Sequence, residues 1–222
     1  FVLGPRVLVT VHGPEWDARS SSLLRVGVDE TLARGTDYLF YALADSVVDG
    51  YFPVLDRLGD EIDELQDQVL SAATDWTLQR LFIIKRELIE IRRATSPARE
   101  VFNQLTNREV GPIDEAHVVY FRDVYDHLIR VTDELDNYRE LIGGTLDMYL
   151  SIVNNNLSRI MKRLTGVTVI LAGIGAIAGI FGMSEAGLAF AGGEASGFWL
   201  VTGGVVAVAA LAALILRRFD WI

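Results

Sequence analysis

Between residues 55 and 69 the apolar side chains fall at Leu55, Leu58, Ile62, Leu65 and Val69, three and four positions apart in alternation. That is the period of a helix with one seam buried against a partner. The other side of the same stretch carries Asp56, Asp60, Glu61, Asp63, Glu64 and Asp67, which reads as a solvated face. The helical pattern begins at Thr36 or Asp37, either of which can cap it. Pro53 is expected to kink this helix without ending it. A second helix is expected over 77–106, with Leu78, Leu81, Lys85, Leu88 and Ile91 along one side, and Gly111-Pro112 breaks the chain before a third. In that third helix Val124, Leu128, Val131, Leu135, Tyr138, Ile142, Thr145, Tyr149, Ile152 and Asn156 keep the alternation. No proline follows Pro112, so one helix can run from Ile113 to Met183, about 105 Å. A helix of that length in a short chain needs partners, and self-association is the expected source.

The polar positions then stop. No charged side chain occurs in 164–184 or in 195–216, runs that span about 31 and 33 Å as helix. A bilayer core of ~30 Å takes about 20 apolar residues to cross, so two transmembrane helices are expected, 164–184 and 195–216. A Gly/Ala-rich loop, 185–194, joins them. Arg159, Lys162 and Arg163 precede the first span, Arg217 and Arg218 follow the second, and the loop has no basic residue. By the positive-inside rule both termini face the cytoplasm.

At the other end, Arg6–His12 reads as one strand closed by Gly13-Pro14, and 22–34 as a short helix ending at Gly35. One strand makes no sheet. The chain is therefore expected to be a piece of a longer protein, with residues 1–35 the remnant of an N-terminal α/β domain. No signal-peptide pattern is seen at its start.

Composition sharpens this picture. The 222 residues hold 20 Lys+Arg against 30 Asp+Glu, a net charge of −10, and half the chain is apolar. Cysteine is absent, which removes disulfides, thiolate metal sites and thiol nucleophiles. The three histidines, His12, His117 and His127, lie in no H-E-x-x-H-type pattern and read as structural or exposed. No phosphate-cradling glycine loop or nucleophile elbow is present. The acidic balance and scattered arginines disfavour nucleic acid. No enzyme chemistry is expected.

Four stretches carry a resemblance to a known family. They are Tyr38–Val69 (with Asp49-Gly50-Tyr51-Phe52-Pro53), Tyr120-Phe121-Arg122-Asp123-Val124-Tyr125-Asp126-His127, Leu146–Ser151 followed by Met161–Thr165, and Ile177–Met183. Together with the basic tail Arg217–Trp221 they resemble the CorA magnesium and cobalt channels, and secondly their ZntB zinc-transporting relatives. The resemblance implies a mainly α fold. Long coiled-coil-like stalk helices (36–163) run into a pore helix (164–184), an outer loop, a second span and a cytoplasmic tail (217–222).

The same resemblance implies a homopentamer in the inner membrane, passing Mg²⁺, Co²⁺ or Ni²⁺ inward down the membrane potential. It places Asp147, Ser158, Met161, Leu164 or Thr165, Thr168, Ala172, Gly175 and Gly179 along the conduit. Without it, the small residues of this face read equally as helix packing. Met161 and Leu164 would form a hydrophobic constriction. Gly182-Met183-Ser184 occupies the place of the family's Gly-Met-Asn, whose Asn meets the hydrated ion; Mg²⁺ dehydrates reluctantly, and a Ser hydroxyl sits closer to the backbone than an Asn carbonyl. Glu185 and Glu194 are the acids of the outer loop. Asp123 matches a regulatory Mg²⁺-sensing carboxylate, and an acidic ring at Asp147 would concentrate cations. The competing readings are a ZntB-like Zn²⁺, Ni²⁺ or Co²⁺ transporter and a non-conducting membrane-anchored coiled-coil scaffold.

Overall fold

The computed structural model describes residues 1–14, 28–108, 111–182 and 195–218. Two compact units result, Phe1–Tyr149 and Leu150–Ile222. The first begins with a hairpin, β1 (Val2–Gly4) against β2 (Val7–Val9), antiparallel with Val2 opposite Val9 and Gly4 opposite Val7. The single strand expected over 6–12 is thus corrected. Gly4-Pro5-Arg6 turns the chain back, and Val2–Gly4, left out of the sequence pattern, supplies the partner. Of the helix expected over 22–34, α1 (Val28–Ala33) lies in the described residues; 22–27 lie outside them.

Gly35 starts α2 (Thr36–Asp49) at a φ of 116°, a conformation that L side chains rarely adopt. A Cβ there would stand 2.8 Å from Asp37 Oδ1. At Pro53 a second expectation is corrected. Instead of a kink within one helix, α2 ends and α3 (Phe52–Ser71) begins, with the proline in its first turn. Proline has no N–H to extend α2, and its fixed φ suits a first helical turn. α4 (Asp75–Asn107) is capped by Thr74, whose Oγ1 accepts from the Thr77 N–H at 3.3 Å. Pro97 lies inside it, and two residues earlier the Thr95 hydroxyl donates to the Ile91 carbonyl at 3.1 Å. After Gly111-Pro112 a 3₁₀ turn, Glu115–His117, leads into α5 (Val118–Gly182), 65 residues long. The expected helical continuity from the stalk into the first apolar run is therefore present.

Within the first unit α3 and α4 form a hairpin against α5. Leu55, Leu58, Ile62, Leu65 and Val69 of α3 are buried, as are Leu81, Ile84 and Leu88 of α4 and Phe121, Val124, Leu128, Val131, Leu135 and Ile142 of α5. Along α4 the buried set is offset from the expected one: Ile84 is inside and Lys85 is exposed. Cross-links fix the directions. Gln66 Nε2 donates to Thr145 Oγ1 (3.2 Å), Arg99 Nη1 donates to Thr132 Oγ1 (3.3 Å), and Arg92 pairs with Asp136. At Gly59 the Tyr138 side chain of α5 lies directly against α3, since a Cβ there would stand 2.5 Å from Tyr138 Oη. A second cluster, Phe40, Tyr41, Ala42, Ala44, Val48, Phe102, Phe121, Val124 and Leu128, closes the start of α5 against α2, with Leu3 and Leu8 of the hairpin beside it.

The second unit holds the C-terminal part of α5, and the helical run Glu115–Ile180 contains an 18-residue stretch of mean hydropathy 1.8 that is 6% buried. It is long and apolar enough to cross a membrane. The other helix of this unit, α6 (Ala195–Arg218), is uncharged from Ala195 to Leu216 and ends on Arg217 and Arg218.

Candidate metal cluster and pore helix

Two side chains one turn apart on α2, Asp45 and Asp49, meet two one turn apart on α5, Asp123 and His127. The spacing of four in each helix puts both members of a pair on one face, and the aromatic cluster between α2 and α5 brings the faces together. His127 Nδ1 lies 3.1 Å from Asp49 Oδ1 and 3.9 Å from Asp45 Oδ1, while Nε2 lies 4.0 Å from Asp123 Oδ1. One ligand atom from each of Asp45, Asp49 and His127 falls within 4.8 Å of the other two. Asp45 Oδ1 and His127 Nδ1 are both buried and neither makes a hydrogen bond. At 3.1 Å the imidazole and Asp49 are close enough to attract as ions, but their angle is not that of a hydrogen bond.

Burial here pushes the Asp45 carboxyl up to about 6, helped by the charges of Asp49 and Asp123 and opposed by His127. Tyr41 is pushed up to about 12 by burial and then by the charges of Asp45 and Asp123. Phe52 covers the His127 ring edge-on at 5.7 Å. A buried carboxylate with an unpaired oxygen, beside a second carboxylate and an unpaired imidazole nitrogen, fits a divalent cation. Such an ion removes the repulsion between the acids and gives both orphaned atoms a partner.

The resemblance had singled out Asp123 alone in this region, and the structure sets it beside His127 at the exposed edge of the cluster. The sequence pattern points to neither Asp45 nor Asp49 as a metal ligand, and it reads His127 as structural or exposed. The signal in the sequence is one Asp/Asp pair and one Asp/His pair, each four apart, on separate helices. Nothing in a linear pattern states that those helices touch.

A second polar knot ties α2 to the start of α5. Asp37 is buried, and its carboxylate accepts from the Tyr38 N–H (2.9 Å), the Asp114 N–H (2.9 Å) and His117 Nδ1 (2.7 Å). Burial alone would raise its pKa, but these bonds and the His117 charge outweigh it and hold the carboxyl below its ordinary value. His117 is thus a structural partner, boxed by the rings of Tyr38 and Tyr120 at 5.6 and 5.9 Å.

The residues expected along a conduit occupy α5 in sequence order. Met161, Leu164, Thr168, Ala172, Gly175, Gly179 and Gly182 recur three or four apart, so they share one helix face. Asp147, Ser158, Met161, Leu164, Thr165, Thr168, Ala172, Gly175 and Gly179 are all exposed. The Thr168 hydroxyl donates to the Leu164 carbonyl at 2.8 Å, which leaves the oxygen's lone pairs outward. A Cβ at Gly175 or Gly179 would meet nothing within 4 Å. Met183, Ser184, Glu185 and Glu194 lie outside the described residues.

Fold and cluster together define a mainly α-helical chain with a helix long and apolar enough to cross a membrane and a carboxylate–imidazole cluster suited to a divalent cation. Comparison with known proteins agrees. The family model of CorA-like Mg²⁺ transporter protein matches residues 1–218, and the chain belongs to that family. It is 44% identical over 149 residues to the cobalt/magnesium transport protein CorA of Thermotoga maritima, covering 67% of this chain and 42% of that one. With the CorA protein of Methanocaldococcus jannaschii it shares 29% identity over 189 residues, covering 85% and 59%. The complete structure of that archaeal CorA magnesium transporter superposes with a TM-score of 0.77 at 29% identity, again over 85% and 59%. Full-length CmaX superposes with a TM-score of 0.64 at 22% identity, a likeness of fold. The chain spans about half the length of these relatives.

Proposed function

We propose that this chain is the stalk and membrane portion of a CorA-type channel that passes divalent cations, Mg²⁺ foremost and Co²⁺ or Ni²⁺ with it. The observation that carries the reading is the family match along residues 1–218. It is supported by an exposed face of α5 that holds no charge from Leu164 to Gly179. In this reading the copies form a homopentamer in the inner membrane with both termini in the cytoplasm. Residues 164–184 line the pore, 195–216 face lipid, and 185–194 face outward. Met161 and Leu164 form the hydrophobic constriction, and the small residues at 172, 175 and 179 leave the outer half wide. Gly182-Met183-Ser184 ends the pore at the outer mouth, with Glu185 and Glu194 beyond it. Asp147 draws cations at the inner end. Flux needs no bond chemistry, because the membrane potential supplies ~4.6 kcal/mol per divalent ion at 100 mV.

A regulatory ion completes the proposal. Asp45, Asp49 and His127, with Asp123 at the edge, would hold it; its charge would neutralise the acids and lock α2 onto α5. The carboxylates suit Mg²⁺, and the imidazole adds a ligand suited to transition ions such as Ni²⁺ and Co²⁺.

Purified protein in liposomes, offered Mg²⁺, Co²⁺, Ni²⁺ and Zn²⁺ in turn, tests the reading, with Ser184→Asn alongside. Mg²⁺ uptake that becomes more selective in the variant supports it. An assembled protein that passes no divalent ion overturns it in favour of the scaffold.

A further inference from the structure

The α3–α4 hairpin turns two unlike faces outward. On α3, Asp56, Asp60, Asp63, Glu64 and Asp67 are all exposed, with Arg57 as the one basic residue of that helix. On α4 the outward face is apolar and basic: Trp76, Phe82, Ile83 and Ile89 are 59%, 53%, 46% and 38% exposed. Lys85, Arg86 and Arg93 lie among them. A groove of about 550 Å³ runs there, lined by Phe82, Lys85, Arg86, Ile89, Glu90 and Arg93. Bulky apolar side chains left this open at neighbouring helical positions mark an interaction site.

We propose that this face of α4 docks the acidic face of α3 from a second copy of the chain, so that hairpins join side to side in a ring. Charge complementarity selects the occupant. A partner must bring acids to Lys85 and Arg86, and the chain carries such a surface one helix away. Because the two faces differ, the contact is heterologous, and heterologous contacts close into rings when the rotation allows. The register follows from the fold. Arg80 bonds Glu61 within the antiparallel hairpin, so five residues further along each helix Lys85 stands level with Asp56, and nine further Ile89 stands level with Phe52 and Pro53. Copies related by a ring axis along the helices sit at equal height. Lys85 and Arg86 of one therefore meet Asp56 and Asp60 of the next, while Phe82 and Ile89 cover the stems of those acids and Pro53. Exposed ion pairs contribute little affinity. The apolar side chains supply it, and the charges choose the partner and register.

The inference rests on the self-association proposed above, and the experiment separates the two. The chain has no cysteine, so introduced thiols are unique. Asp56→Cys in a chain with one tag and Lys85→Cys in a chain with another are co-expressed, purified in detergent, sized by light scattering and treated with a short thiol-to-thiol cross-linker. The expected result is a dimer carrying both tags, at least tenfold more abundant than any dimer from either variant alone. An oligomer by light scattering without the two-tag dimer, or with equal dimers from each single variant, overturns the docking and leaves self-association standing. A monomer by light scattering overturns both.

Discussion

Replacing Asp45 by Asn separates the two roles of the carboxylate cluster, because it is expected to stabilise the metal-free protein while weakening its response to metal. The Asp45 carboxyl titrates at about 6 in the fold against an ordinary 3.8, chiefly through burial and secondly through Asp49. A carboxyl raised in this way is bound to its proton more tightly when folded. Its stabilising contribution is therefore present below 3.8 and lost as pH rises through 6. A shift of about two units at 1.36 kcal/mol each makes the ionised form cost about 3 kcal/mol at pH 7.5, and roughly half of that at pH 5. Asn carries no charge to bury. In EDTA at pH 7.5 the variant should gain up to about 3 kcal/mol, roughly 6–12 °C in melting temperature for a chain of this size, with a smaller gain at pH 5. Wild type in Mg²⁺ at a hundred times its dissociation constant gains ~2.7 kcal/mol, and the variant, lacking one ligand, gains less. Near-UV circular dichroism melts in detergent, with EDTA or Mg²⁺, read both effects. A variant that melts below wild type in EDTA at pH 7.5, or that responds fully to Mg²⁺, refutes the reasoning.

Three further outcomes are expected. Gly59→Ala places a methyl 2.5 Å from Tyr138 Oη; overpacking of about 1–3 kcal/mol, offset by about 1 kcal/mol of helix propensity, leaves a net cost of up to about 2 kcal/mol, and adding Tyr138→Phe, which removes that oxygen and its bond to Glu134, should recover part of the loss in denaturant melts, so strict additivity would count against the close approach. Asp37→Ala leaves the Asp114 N–H and His117 without their acceptor and should destabilise by about 2–4 kcal/mol. Since the Asp37 carboxyl lies below its ordinary value, its contribution is intact above 3.8 and fades as pH falls below that, so the gap between variant and wild type should narrow in acid melts. Leu164→Ser wets the proposed constriction and should raise divalent flux in liposomes at least severalfold; unchanged flux would place the constriction elsewhere.

Which parts of this molecule were legible in its sequence follows from what fixes them. The seam Leu55–Val69 and the face from Val124 to Ile142 could be read directly, because burial on a helix imposes its own period. The same logic slipped by one position on α4. Lys85 lies next to Ile84, and a pattern that accepts a long-stemmed lysine cannot tell which of the two turns inward. At Pro53 the residue was identified and its consequence was not, since proline serves a first turn as readily as it breaks a helix. The β-hairpin escaped because its strands are three residues each, too short to show alternation. Resemblance supplied Asp123, but the ligand partners Asp45 and Asp49 lie more than 70 residues away along the chain. Only the packing of Phe40, Tyr41 and Val48 against Phe121, Val124 and Leu128 brings them together.

Divalent cations are proposed to cross the membrane through this chain passively, down their electrochemical gradient. Protein in liposomes loaded with a Mg²⁺ indicator, with Mg²⁺ outside and a potassium gradient clamping the interior at −100 mV, tests it most directly. Rapid Mg²⁺ entry is expected that continues past equal concentrations, toward the roughly two-thousandfold accumulation that ~4.6 kcal/mol allows, and that stops at equality once the gradient is collapsed. Entry indifferent to the clamp, or none in liposomes shown to hold the assembled protein, would contradict it.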